Sequence, residues 1–273
     1  MKIGKREFDF SRIYVMGIMN VTDDSFYPPS RVKIDNVERK SLEMINEGVD
    51  IIDIGAESTR PGSDPIDPAE EIRRIDLAVR SIRNVSDIPI SIDTYRSQTA
   101  IAGLRAGADM INDVSGLEFD PEMSHVCTDF DVPIVLMHIK GTPKNMQTDP
   151  YYEDVLKEVY EELQKKVEKA IKNGVKASKI ILDPGIGFGK RLEDNLKIIA
   201  HLDKFQSLGK PILIGISRKS MISKIMPMDI NDRLEPTIAL NTIAAMKGAK
   251  IIRVHDVFSN VKAMRMVDAI MGV

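Results

Sequence analysis

The chain has 273 residues, with 38 Lys and Arg against 41 Asp and Glu, a net charge of −3, and 43% hydrophobic residues. Both signs of charge are interspersed, so the basic patch of a nucleic-acid binder is absent and no such partner is expected. Cys127 is the only cysteine, which excludes an intrachain disulfide; the start, "MKIGKREFDFSRIYVMG", lacks a signal-peptide core, and no apolar run approaches the ~20 residues of a membrane helix, so a cytoplasmic protein with no membrane partner is expected.

The first predicted strand is "IYVMGIMN" (13–20). A helix follows in "VERKSLEMINEG", with apolar positions at Val37, Leu42 and Ile45 and a stop at Gly48. The second strand is "DIIDIGA" (50–56), and "PAEEIRRIDLAVRSI" opens the next helix on a proline with acids in its first turn. Strands "PISID" (89–93), "DMINDV" (109–114) and "PIVLMH" (133–138) come next. The long amphipathic helix "YEDVLKEVYEELQKKVEKAIKNG" separates them from "KIILD" (179–183), "PILIGIS" (211–217) and "KIIRVHD" (250–256). Most of these strands are continuous and β-branched, as strands covered on both faces should be. Eight such strands alternating with helices, and no linker-like stretch, predict a single (β/α)8 TIM barrel forming one domain over residues 1–273. A doubly wound sheet with extra elements is the alternative.

Polar residues stand at the strand ends: Asn20, the run "ESTRPGS", Asp93, Asn112 with Asp113, His138, Asp183, "SRKS", and Arg253 with His255. Any one of them alone would most often cap a helix or close a turn. Eight strands in succession ending this way argue for a site, because a barrel's active site forms at the C-terminal ends of its strands.

Arg253 and His255, two apart, share a face, and with Arg60 and Arg218 they suit a phosphate or diphosphate. Asp93, Asn112 and Asp183 suit the donor and acceptor edge of a heterocycle, or alternatively a divalent metal. The four histidines show no zinc-motif spacing, so a protein-caged metal is not expected; a Mg²⁺ carried on a phosphate ligand remains open. Lys219 admits three readings: an imine-forming lysine, a cation contacting an anion or a ring, or a surface lysine. Met137 reads as core filler.

The stretch "IILDPGIGFGK" has glycines at 185, 187 and 189 but fails both nucleotide tests. The first glycine is one residue too close for a Walker loop, and Lys190 stands where the dinucleotide fingerprint needs glycine.

The segments "MGIMNVTDDSF", "DIIDIGAESTRPGS", "ISIDTYRS", "MINDVSG", "MHIKGTP", "ILDPGIGFGK", "ISRKS" and "IRVHD" together resemble dihydropteroate synthase, of the pterin-binding barrel superfamily, in order and over residues 16 to 256. The resemblance implies a transferase of folate biosynthesis that joins 6-hydroxymethyl-7,8-dihydropterin diphosphate to p-aminobenzoate and releases pyrophosphate. By position it implies that Asp93, Asn112, Asp183 and Lys219 form the pterin pocket, with Met137 lining it. It implies a diphosphate site at Asn20, Arg253 and His255, with Mg²⁺ near Asn20. Thr59, Arg60 and Pro61 fall on one mobile loop and Phe26 on another, and Phe188, Lys219 and Ser220 flank p-aminobenzoate. Catalytic roles fall to Asp93, Asp183, Lys219, Arg253 and His255, and a homodimer through the later helices is implied. Arg218 has only a supporting role. The first loop departs from the family: Asp23 replaces a proline, and Pro28, Pro29 and Ser30 replace Asp-Gly-Gly.

Overall fold

The computed structural model describes residues 1–21, 32–57, 62–63 and 65–272. Eight parallel strands close into a barrel in chain order, the last pairing back on the first. They are β3 (Tyr14–Asn20), β4 (Ile51–Gly55), β5 (Ile90–Asp93), β6 (Met110–Asp113), β7 (Ile134–Met137), β8 (Ile180–Asp183), β9 (Ile212–Ile214) and β10 (Ala249–Val254). The predicted (β/α)8 barrel is therefore the observed architecture, with every predicted strand in place within three residues of its ends. Helices α1 (Val37–Asn46), α2 (Pro68–Val85), α3 (Ser97–Ala106), α4 (Met123–Asp129), α5 (Val155–Lys172), α6 (Leu192–Ala200), α7 (Met221–Ile225), α8 (Leu234–Met246) and α9 (Val257–Met271) lie between and after the strands.

Side chains alternate across each strand, so one set packs outward on the helices and the other fills the barrel. The outward set is rich in isoleucine, with Ile52, Ile54, Ile90, Ile92, Ile134 and Ile180 in one continuous core with apolar helix residues. The inward set is layered. Met16, Ile51, Met110, Val135, Ile181, Leu213 and Ile251 form an apolar floor. A short hairpin, β1 (Lys2–Ile3) with β2 (Arg6–Glu7), brings Ile3 and Phe8 against that floor and seals the N-terminal end. Sequence reading did not anticipate this hairpin, since two-residue strands carry no periodicity to detect.

One helix face differs from expectation. In α1 the buried positions are Val37, Ser41 and Met44, at i, i+4 and i+7, whereas Leu42 is 41% exposed. The serine was passed over because its hydroxyl, bonded back to Glu38 O at 2.7 Å, lets it sit on the buried side of the helix.

Candidate active site

Above the apolar floor the inward residues turn polar. The strand registers place Asn20, Gly55 and Asp93 side by side on β3, β4 and β5, and Asp93 beside Asn112 on β6. Met137 on β7 pairs with Asp183 on β8, and Arg253 on β10 completes the ring. The parallel register thus brings together Asn20, Asp93, Asn112, Met137, Asp183 and Arg253 at one mouth, as the strand-end pattern predicted.

Asp183 is buried, and its Oδ1 accepts the Gly185 N–H at 2.7 Å. Burial raises its carboxyl above the ordinary range, while Lys219, the Gly185 amide and Lys190 pull the other way. Arg253 reaches across the barrel: its Nε donates to Asp53 Oδ2 at 2.6 Å and its Nη2 to Asp93 Oδ2 at 2.6 Å. Burial alone would lower the guanidinium; Asp53 and Asp93 outweigh it and raise it, so Arg253 stays a cation. For Asp93 burial dominates and raises the carboxyl despite Arg253.

His255 follows β10. Its backbone N–H donates to Ser217 Oγ at 3.2 Å, and the same hydroxyl lies 3.0 Å from Nδ1. The hydroxyl can give its own hydrogen to Nδ1, and in that tautomer Nε2 carries the ring hydrogen. Burial and the cations Arg253, Arg218 and Lys219 hold His255 down to about 3, so the ring is neutral.

The glycine loop between β8 and α6 packs edge-on against the loop after β7. Gly185 has φ +70, and a Cβ there would meet His138 O at 1.9 Å; Gly189 has φ +62, with Lys140 O at 2.3 Å from the same atom. Only glycine allows both the left-handed backbone and this close approach. The loop presents Phe188, half-buried, with Lys219 Nζ 4.6 Å from its ring centroid. Lys219 also donates to Ile186 O. Burial lowers its ammonium to about 8, against the pull of Asp183. The ring contact fits the second of the three readings, a cation contacting an anion or a ring. Ser220 is exposed beyond it.

Strand parity separates the remaining strand-end residues. Met137 points inward, so His138 points outward and is fully buried: its Nε2 lies 2.9 Å from Glu162 Oε2 on α5. Asn112 likewise points inward and Asp113 outward, where it closes a turn through the amides of Ser115 and Leu117. His138 and Asp113 therefore do not join the mouth. Arg218 is buried at φ +56, locked by Asp256 through Nε at 2.7 Å and Nη2 at 2.9 Å and bonded to Ile230 O. It shapes the loop that carries Lys219, consistent with a supporting role. Phe26, Thr59, Arg60 and Pro61, and the unusual Asp23, Pro28, Pro29 and Ser30, lie outside the described residues. Asp53, hidden within the apolar run of β4, escaped sequence reading altogether, and Ser217, read only as part of the strand-end "SRKS", is the residue that orients His255.

No group of three His, Cys, Asp or Glu side chains suited to a metal occurs among the described residues. Asn20 offers a single amide oxygen beside Gly55, on the opposite strand neighbour from Asp93.

A family model for pterin binding enzymes matches residues 16–255. The chain is 41% identical over 273 residues to a dihydropteroate synthase of Clostridium beijerinckii, covering 99% of each. It is similar to the Yersinia pestis dihydropteroate synthase solved with a sulfonamide drug, with a TM-score of 0.95, 36% identity, and 100% and 99% of the two chains covered. It is also similar to the Xanthomonas albilineans dihydropteroate synthase in complex with 7,8-dihydropteroate, with a TM-score of 0.85, 32% identity, and 97% and 96% covered.

Proposed function

The chain belongs to the pterin binding enzymes, among the dihydropteroate synthases, and from that premise we propose how its barrel mouth joins a dihydropterin diphosphate to p-aminobenzoate. The observation that carries the reading is the convergence of Asp93, Asn112 and Asp183 on the inward face directly above an apolar floor, with Arg253 beside them. Acidic acceptors above an apolar floor suit a ring bearing N–H donors, and a poor match there leaves buried polar groups unpaired.

In this reading the pterin ring seats between Asp93, Asn112 and Asp183, with Met137 against its face. Its diphosphate lies toward Asn20, Arg253 and His255. As the carbon–oxygen bond to the diphosphate breaks, Arg253 stabilises the departing charge and the neutral His255 donates through Nε2. The buried carboxylates stabilise the cationic methylene left on the pterin. p-Aminobenzoate, flanked by Phe188, Lys219 and Ser220, attacks through its amine; the carbon–nitrogen bond forms and the amine releases a proton. No covalent bond to the protein is required, so Lys219 acts as a cation. A Mg²⁺ carried by the diphosphate would find one ligand in Asn20 and, when bound, adds charge to the leaving oxygens. Phe26, Thr59, Arg60 and Pro61 are assigned to the same two substrates by position alone.

The apolar side chains Ile243 and Met246 on α8 and Phe258, Met266 and Ile270 on α9 are exposed, which supports a homodimer through the later helices. A lone buried cysteine fits a reducing compartment and supports a cytoplasmic protein, and the closed barrel supports one domain. The test is direct: purified protein with Mg²⁺, the pterin diphosphate and p-aminobenzoate, followed for dihydropteroate. Tight pterin binding without product would reject the synthase reading in favour of a binding module.

A further inference from the structure

Asp53 is fully buried on the inward face of β4, paired in register with Ile18 and Ser91. A single oxygen, Oδ2, takes both the Arg253 Nε at 2.6 Å and the Asn112 Nδ2 at 3.2 Å. The other, Oδ1, is buried with no hydrogen-bond partner among the described residues. A carboxylate this deep is costly, and an aliphatic residue would extend the floor that Ile51 already belongs to. Its presence therefore calls for a reason other than stability.

We propose that Asp53 is a positioning residue that sets the polarity of the pterin pocket through Asn112 while tethering Arg253; the proposal rests on the pterin reading above. An amide can face a ligand with either its oxygen or its NH₂ group. Opposite an anionic oxygen only the NH₂ group is tolerated, so Asp53 takes one Nδ2 hydrogen and fixes which way the amide faces, holding Oδ1 and the second Nδ2 hydrogen in set places for a ligand. Asn112 then presents an acceptor, as Asp93 and Asp183 do when ionised. The pocket then sets fixed acceptors beside one fixed donor, the pattern a dihydropterin edge needs where N–H groups flank the ring nitrogen N1, and it rejects analogues with the opposite pattern there. Asp53 also holds Arg253 by Nε, a different atom from the Nη2 that engages Asp93. A ligand that takes over Asp93 displaces only Nη2, and the arginine stays tethered with its terminal nitrogens turned to that ligand.

The experiment uses Asp53→Asn and the swapped double variant Asp53→Asn with Asn112→Asp, each titrated by calorimetry with the hydroxymethyl dihydropterin lacking its diphosphate, alongside thermal unfolding. In the single variant two amides face each other and the polarity is no longer dictated, so the pterin Kd rises about tenfold or more in a protein that still unfolds cooperatively, at a temperature lowered by the loss of the Arg253 ion pair. In the swap the new amide at 53 donates to the new carboxylate at 112, which again offers a fixed oxygen to the ligand, and part of the affinity returns. The KM for p-aminobenzoate stays within about twofold in the single variant, a split that general damage to the fold would not produce. Pterin affinity unchanged in Asp53→Asn, or a folded swap variant no better than the single one, overturns the role of Asp53. Failure of the unmodified protein to bind the pterin refutes the enzyme reading instead, and the two failures are told apart by that control.

Discussion

Lys190 Nζ lies 2.8 Å from Nδ1 of His138, and the same ammonium donates to Gly185 O at 2.9 Å and Phe188 O at 3.1 Å. One buried cation thus ties the loop after β7 to the glycine loop that presents Phe188. Burial lowers it to about 7 against the pull of Asp183. Lys190→Met removes every one of these donors and leaves buried carbonyls unsatisfied, so we expect a loss of about 2–4 kcal/mol. Denaturant unfolding measures it. A loss below about 1 kcal/mol would mean that the loops hold each other without the lysine.

The tautomer of His138 follows from the same contact. The lysine donates to Nδ1, so Nε2 carries the hydrogen and faces Glu162 at 2.9 Å. Burial and Lys190 hold the ring down to about 4, whereas an unfolded histidine titrates near 6.5. Between those values the unfolded chain binds a proton on this ring that the folded chain refuses, so stability falls as the pH drops from 6.5 toward 4. The full effect is about 3 kcal/mol for this ring. Glu162, whose carboxyl the His138 contact lowers, adds stability lost in the same direction. Unfolding free energy measured from pH 7 to 4.5 should show a steeper slope for the unmodified protein than for His138→Gln; parallel slopes would assign the acid sensitivity elsewhere.

Much of this architecture was readable because buried parallel strands leave a plain mark. The isoleucines of β4, β5 and β8 form runs too apolar for a surface, and each run stops at a polar residue that the barrel rule sends to one mouth. What stayed hidden depends on parity and on pairing across strands. Asp53 looked like one polar letter inside "DIIDIGA", although its two-residue spacing from Ile51 and Gly55 already put it on the inward face. His138 looked like the end of its strand, but standing next to the inward Met137 it had to point out. Its partner Glu162 lies a whole helix away in sequence, and no local pattern announces such a contact. The orientation of His255 similarly depends on Ser217, from the neighbouring strand's loop.

Asp183 supports a prediction on binding. It is the buried carboxylate nearest the glycine loop, and Gly185 N–H already satisfies Oδ1. A ligand N–H would meet the remaining oxygen. Asp183→Asn keeps the shape, but the Gly185 amide fixes the side-chain oxygen, so the new NH₂ group points at the ligand's donors. Donor against donor in a buried site costs about 2–4 kcal/mol, or a 30-fold to several-hundred-fold weaker pterin affinity. Calorimetry on the variant decides, and an unchanged affinity would remove Asp183 from the pocket.

Lys219 should write its own limb into the pH profile. Burial brings its ammonium down to about 8, against an ordinary lysine near 10.5. If its charge serves p-aminobenzoate, kcat/KM for that substrate falls above pH ~8, approaching tenfold per pH unit, because kcat/KM reports groups of the free enzyme. Lys219→Arg keeps a cation that does not titrate in this range. The planar fork fits poorly in the space beside Phe188 and Gly187, where a Cβ on the glycine would stand 3.2 Å from Lys219 Cδ. The overall rate should therefore drop about tenfold or more while the alkaline limb disappears. Rate profiles of both proteins from pH 6.5 to 9.5 separate these effects. A limb that persists unchanged in the arginine variant belongs to another group, and Lys219 then contributes shape rather than charge.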